Sequence, residues 1–510
     1  MKKVFLLAMF VVLALVSGCT TINSSTGTTT TPPNIPIASS TGTTTTTSTS
    51  TVSQPTGTIP ITSTPAMSPS TSTAPTSTPS ISTTPTTSTS TAVVSTPTST
   101  TTTQTVTTPT QYSFIDQSRM EAIDLYVKNT PSSVTASVQT LANYLIQPAQ
   151  NDVEKARAVY DWIAMNISYN YNEYLNPSAG GTSAADVLQS RSSICEGYSN
   201  LFQTIGTTAG LDVETIDGWG KGIGYSAGDQ ITEPSNHAWN AVKINGQWYL
   251  LDSTWGAGYT DEQNNFVFDF DDEYFLMPPE QFIYTHFPED AKWQLLSTPI
   301  SNTEFADLPY VQKKFFSYGL GLDSSLKSII QSNGDVSFSI SAPSNILVRA
   351  MLVQGTQELS DTLTFTQRTG NQYQVNAICP NAGDYTLRIY AKQQDNTETY
   401  NNCLDFKVTA SAGSANLAAF PKAYASFFDN NAFVNTPLNG NLKSGTVQHF
   451  NFNIPNTTDV QIVIGNKWTP LTRQGDNFQG DVTLTAGTAQ VCAKFPDNTQ
   501  YGVLLVYTIQ

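Results

Sequence analysis

Three histidines in 510 residues leave few places for acid–base chemistry, and only His237 opens a well-defined structural element. His449 falls in a strand-like run near the C-terminus, and His286 sits in the loop-like stretch Tyr284-Thr285-His286-Phe287-Pro288. A thiol nucleophile needs a lowered pKa, an imidazole to carry its proton and a group that orients the imidazole. Cys195 meets the first need. Glu196 to Ala209 reads as a helix, with Tyr198, Leu201, Phe202, Ile205 and Ala209 on its buried face and Gly210 as its stop. Cys195 therefore sits in the first turn, where unpaired N–H groups and the helix dipole favour a thiolate and can hold an oxyanion. Taken alone, it is equally well a buried, inert thiol, since cysteine is among the most often buried residue types.

The element carrying His237 shifts that balance. His237 to Ile244, the turn Asn245-Gly246 and Gln247 to Thr254 form a strong hairpin signal. A two-residue turn sets Ile244 opposite Gln247, and hence Trp239 opposite Asp252 and His237 opposite Thr254. His237 and Asp252 become diagonal neighbours on one face, with Cβ atoms roughly 7 Å apart, a gap that an imidazole and a carboxylate can close. The alternative is a surface ion pair on a solvated face, which fits poorly with Trp239, Trp248 and Leu250 around it.

Other elements must hold these residues in place. Met120 to Lys128 and Ser132 to Ile146 carry helical apolar spacing, the second with Ser132 and Ser133 as caps. Asn151 to Asn166 is expected as a third helix, with Val153, Ala156, Tyr160, Ile163 and Ile167 inward and Asp152, Glu154, Lys155 and Arg157 outward. After Ile300 the pattern changes to short alternating runs such as Val336 to Ile340, Tyr385 to Tyr390, Val460 to Ile464 and Val503 to Tyr507. Asn333-Gly334-Asp335-Val336 is echoed by Ser444-Gly445-Thr446-Val447, and each leads into alternating strands. Two tandem immunoglobulin-like β-sandwich modules of about 100 residues each are expected.

Ile194-Cys195-Glu196-Gly197-Tyr198, Asn236 to Val242 and Trp248 to Gly256 together resemble the transglutaminase-like superfamily. Gly218 to Tyr225, and Tyr274 to Glu280 continuing through His286 to Leu296, are similar to its kyphoscoliosis peptidase branch. The resemblance covers about residues 112–298 and implies an α+β papain-like core in which Cys195, His237 and Asp252 form a catalytic triad. It implies that Cys195 attacks an amide carbonyl, His237 shuttles the proton and Asp252 holds the imidazole. The thioester then passes to water in a peptidase or to an amine in a transglutaminase. Trp219 and Trp239 are candidate oxyanion donors, and His286 is assigned to the family's structural tail.

The chain's address follows from its first residues. Lys2 and Lys3 precede an apolar run from Val4 to Val16 that is too short to span a membrane, where roughly 20 residues are needed. It ends in Val16-Ser17-Gly18-Cys19, which resembles a lipobox and implies lipidation of Cys19 after cleavage. Thr, Ser and Pro dominate residues 20–111, a composition that buries too little apolar surface to offset the entropy of ordering. The expected organisation is thus a signal peptide (1–19), a disordered stalk (20–111), a catalytic domain (112–300) and two β-sandwich modules (301–410 and 411–510).

Net charge −16 and only 12% charged residues, without a basic stripe, exclude a phosphate-backbone partner. Cys195, Cys379, Cys403 and Cys492 show no metal-ligand spacing; Cys379 and Cys403 fall in one module, where a disulfide stays open. The acidic run Asp269, Asp271, Asp272 and Glu273 lacks the glycine and spacing of a calcium loop and reads as a solvated loop. No cofactor is expected. The leading function is a lipid-anchored, extracytoplasmic cysteine peptidase or amidase, a monomer acting on protein or peptide at the cell surface. The alternatives are a cross-linking protein-glutamine acyltransferase and a non-catalytic scaffold or adhesion lipoprotein.

Overall fold

The computed structural model describes residues 112–176, 180–231, 234–261, 263–394, 399–496 and 499–510. The expected signal peptide, Cys19 and the stalk over 20–111 lie outside these. Among the described residues no helix is long and apolar enough to cross a membrane.

The first layer of the core is helical. Helix α1 (Gln117–Lys128) starts at Asp116, whose carboxylate accepts from the N–H groups of Ser118 and Arg119. Ser132 and Ser133 do not cap the next helix, as expected above; residues 132–136 form a 3₁₀ turn, and α2 (Val138–Leu145) begins after Ser137. The cause is a capping box, in which Ser137 and Thr140 satisfy each other's backbone N–H groups. Helix α3 (Asp152–Asn166) is buried almost all round. The outward face expected of it is corrected for Glu154 and Arg157, which are buried in ion pairs: Glu154 with Arg119 at 2.6 Å, and Arg157 with Asp124 at 2.9 Å and Asp272 at 3.1 Å. Asp161 lies 2.8 Å from Arg157 Nε but off the hydrogen-bond line, so burial prevails and pushes its carboxyl well above the usual range.

Two short helices, α4 (Tyr171–Leu175) and α5 (Ala184–Ser190), follow. The parallel pair β1 (Ser168–Tyr169) and β2 (Ser192–Ser193) then delivers the chain to α6 (Cys195–Thr208), which ends before Gly210 at φ +82°. Helix α6 packs on an antiparallel sheet made of β3 (Asp212–Gly220), β4 (His237–Ile244) and β5 (Gln247–Leu251). After the small hairpin of β6 (Gly258–Thr260) and β7 (Phe266–Phe268), the strand β8 (His286–Pro288) joins the far edge, giving the order β5-β4-β3-β8. Asn245 and Gly246 both have positive φ, as a tight hairpin turn requires, and Ile244 pairs with Gln247. Strand β5 stops at Leu251 rather than Thr254, because Asp252 accepts from the N–H groups of Thr254 (2.7 Å) and Trp255 (3.2 Å) and starts a 3₁₀ turn.

Two β-sandwiches follow with the same strand order twice. In the first, the strand 335–341 pairs with 372–378, and across the core 401–410, 383–393 and 346–354 run side by side. In the second, 447–453 pairs with 477–483, opposite 502–509, 487–494 and 459–464. Each also carries one short parallel strand, 329–332 against 401–410 and 441–442 against 502–509, which supports the tandem reading. Cys379 and Cys403 are free and buried in the first module's core. The acidic run is no solvated loop: Asp269 and Asp271 pair with Lys313 (2.8 and 3.1 Å) and Glu273 with Lys314 (2.6 Å), clamping the first sandwich to the core.

Candidate active site

Cys195 is the first residue of α6, and the residue before it, Ile194, offers no side-chain oxygen to cap the helix. The first-turn N–H groups therefore keep their affinity for negative charge at the sulfur. His237 opens β4 and Asp252 follows the last residue of β5, the diagonal placement that the two-residue turn dictates. Asn240, buried on β4, donates through Nδ2 to Ser199 O (3.1 Å) and Glu214 O (3.2 Å), tying the helix that carries the thiol to the strands that carry the imidazole. Gly220 faces the ring: a Cβ there would meet His237 Cδ2 at 3.1 Å and Cβ at 3.2 Å, so a side chain would press on the imidazole.

The three residues come together. His237 Nε2 lies 2.8 Å from Asp252 Oδ2, and the Cys195 thiol lies near enough to the ring to act on its protonation. Cys195 is 8% exposed and the His237 side chain 8%, so both are screened from bulk water yet reachable. Burial pulls the His237 pKa down, but the Asp252 carboxylate, its hydrogen bond and that of Cys195 overcome it and raise the value to about 10. Asp252, 1% exposed, moves the other way: burial raises its pKa, and the His237 charge with hydrogen bonds from His237 and His286 lowers it well below the usual carboxylate range. The pair is an imidazolium on a carboxylate at neutral pH.

A fourth group was not expected here. His286, assigned from the sequence to a structural tail, lies in the site, its Nε2 3.1 Å from the same Asp252 Oδ2. Its ring stacks on Phe282 (centroids 3.9 Å apart) and lies against Trp255 (4.4 Å). Burial between these rings outweighs Asp252 and lowers its pKa to about 4, so this imidazole is neutral. Its Nε2–H then donates to Asp252, and Nδ1 accepts from the Thr285 hydroxyl at 2.9 Å. A histidine in an aromatic-rich stretch was the available signal, but its spacing does not show which face it meets. His449 is far from this chemistry on the second sandwich, paired at 2.6 Å with the exposed Asp481.

A cleft of about 310 Å³ opens on His237 between Tyr169, Trp255 and Tyr310. Neither Trp219 nor Trp239 lines it; Trp239 packs with Ile216, Leu250 and Phe282, and its indole N–H is buried without an acceptor. His237, Asp252 and His286 also offer three ligand atoms within 4.8 Å of one another, a set a transition metal would accept. Both Nε2 atoms carry the protons they share with one carboxylate oxygen, so neither presents a lone pair to a cation.

Residues 139–253, which include Cys195, His237 and Asp252, match the model of the transglutaminase-like superfamily, and residues 302–421 match the KY-like, immunoglobulin-like domain. The chain thus carries a segment that matches the transglutaminase-like superfamily, followed by one that matches the KY-like, immunoglobulin-like domain. It is similar to kyphoscoliosis peptidase of Homo sapiens, with 32% identity over 296 residues covering 57% of this chain and 43% of the relative. The kyphoscoliosis peptidase of Mus musculus is 33% identical over 276 residues, covering 54% and 41%. The Lim and transglutaminase domain protein ltd-1 of Caenorhabditis elegans is 32% identical over 231 residues, covering 42% and 31%. This chain spans less than half the length of these relatives.

Proposed function

We propose that the protein is a lipid-anchored, extracytoplasmic thiol peptidase or amidase with Cys195, His237 and Asp252 as its catalytic triad. The observation that carries this reading is the buried His237–Asp252 hydrogen bond beside the Cys195 thiol, which acts on the same ring. In the reaction, the His237 imidazolium already holds the proton that the Cys195 sulfur gives up, so sulfur bonds directly to the amide carbonyl carbon, and the first-turn N–H groups of α6 face the developing oxyanion. The imidazolium returns that proton to the leaving amine as the C–N bond breaks, leaving a thioester. His237 then takes a proton from water, which attacks the thioester and releases acid and thiol. Asp252 keeps the ring in one orientation throughout.

The peptidase choice over transamidation is supported by the names of the similar relatives, and the anchored location by Lys2, Lys3, the apolar run and Cys19. Iodoacetamide labelling followed by peptide mapping tests the thiol. Selective alkylation of Cys195 near neutral pH is expected, because burial pushes Cys379 up to about 11 and Cys403 up to about 12. Absence of adduct on Cys195 in the folded protein would sink the enzymatic reading.

A further inference from the structure

The first sandwich module helps to build the cleft. Its leading strand, Tyr310–Val311, is hydrogen-bonded to the strand 401–410, yet both residues line the same cavity as His237. The module is held in that place by Lys313 and Lys314 on the acidic run, by Lys221 Nζ donating to Phe305 O and Leu308 O at 2.8 Å each, and by Tyr225 packed edge-on against Tyr310 at 4.9 Å.

The chemistry of the lining is one-sided. Tyr169, Tyr174, Trp255, Tyr259, Phe266 and Tyr310 present rings to the cavity. Tyr259 is 55% and Ile223 48% exposed at the lining, and Phe268 of the same hairpin is 53% exposed, an apolar lip that a monomeric surface normally covers. Several polar groups of the lining are already paired. Lys221 is bound to two carbonyls, Lys313 and Asp269 neutralise each other, and the Asn236 amide bonds both Gly220 N (2.7 Å) and Gly220 O (3.3 Å). A charged substrate side chain would meet Lys221, Lys313, Asp269 and the Asn236 amide already paired, with Thr254 Oγ1 an unpartnered polar atom of the lining. A volume of about 310 Å³ is at the small end of ligand pockets, roughly 300–1,000 Å³, and suits side chains of a polymer lying across the lip.

We infer that the cleft is a subsite for a bulky apolar side chain of a polypeptide substrate, adjoining the amide that Cys195 attacks, and that Tyr310 of the sandwich module is a specificity-determining residue. The inference rests on the thiol reading above. It is tested on the full chain in detergent with tripeptide vinyl sulfones whose residue beside the reactive carbon is Phe, Leu, Asp, Lys or a glycosylated Ser. The Phe and Leu probes are expected to alkylate Cys195 at least about tenfold faster than the others. Tyr310→Ala should erase most of that preference, Tyr310→Phe should restore it, and iodoacetamide should react with all three proteins at one rate. Equal rates across the probes, a faster charged or glycosylated probe, or an unchanged preference in Tyr310→Ala would overturn the inference while leaving the thiol reading intact. Failure of iodoacetamide to reach Cys195 would remove both.

Discussion

Asp252 Oδ2 receives His237 at 2.8 Å and His286 at 3.1 Å, so a single carboxylate oxygen serves two imidazoles of opposite protonation. The difference lies in what else each ring touches. His237 adds a hydrogen bond to a thiol and keeps its proton, whereas His286 is enclosed by Phe282 and Trp255 and stays neutral. One ring is placed to move a proton, and the other to hold the carboxylate still.

Asp252→Asn removes the charge that lifts His237. Turnover of an amide substrate is expected to fall on the order of 10²–10⁴-fold, and the His237 pKa to drop from about 10 toward its ordinary value. Titration of the ring by NMR alongside rate measurements checks both; an unmoved titration would show that Asp252 is not the source.

His286→Gln should change how stability depends on pH. The His286 pKa is about 4 when folded against 6.5 when not, so between these values only the unfolded chain binds the proton. Wild-type stability therefore falls as pH drops through this window, by up to about 1.4 kcal/mol per pH unit, and the variant loses that slope. His237 acts oppositely: its raised pKa contributes stability present below about 6.5 and lost as pH climbs toward about 10, and this limb should persist in His286→Gln. Denaturant unfolding at several pH values reads both limbs, and identical acid slopes in the two proteins would contradict the assignment.

Arg157→Met tests the buried ion cluster beneath α3. Breaking a buried pair costs about 3–5 kcal/mol, and the lower end is expected because Asp124 and Asp272 are 29% and 47% exposed and remain solvated without the guanidinium. A loss below about 1 kcal/mol in urea unfolding would mean that the cluster holds little of the fold.

Cys19→Ser separates the anchor from the enzyme. The variant should lose metabolic labelling by fatty acid and leave the membrane fraction, with Cys195 alkylation unchanged. Retention of label would place lipidation elsewhere.

Much of the site was legible because its parts are local. Helix α6 carries its own stop signal, and the Asn245-Gly246 turn sets the register that brings His237 beside Asp252. Where expectation failed, a competing local bond decided the outcome. Ser137 took the cap expected of Ser132 and Ser133, and Asp252 ended β5 early by capping the turn after it. On α3, apolar spacing marked the inward stripe correctly but gave no hint that Glu154 and Arg157 would be buried by partners from distant segments.

Residue order alone determined the placement of Cys195 at a helix start, the hairpin that pairs His237 with Asp252 and the paired sandwiches, since each depends on neighbours a few positions away or on a repeated pattern. Tertiary structure alone decided that His286 meets Asp252 and that Tyr310 walls the cleft. Both contacts join segments that are independent along the chain, and which faces meet is settled by packing and ion pairing across the whole fold, a quantity that no local spacing encodes.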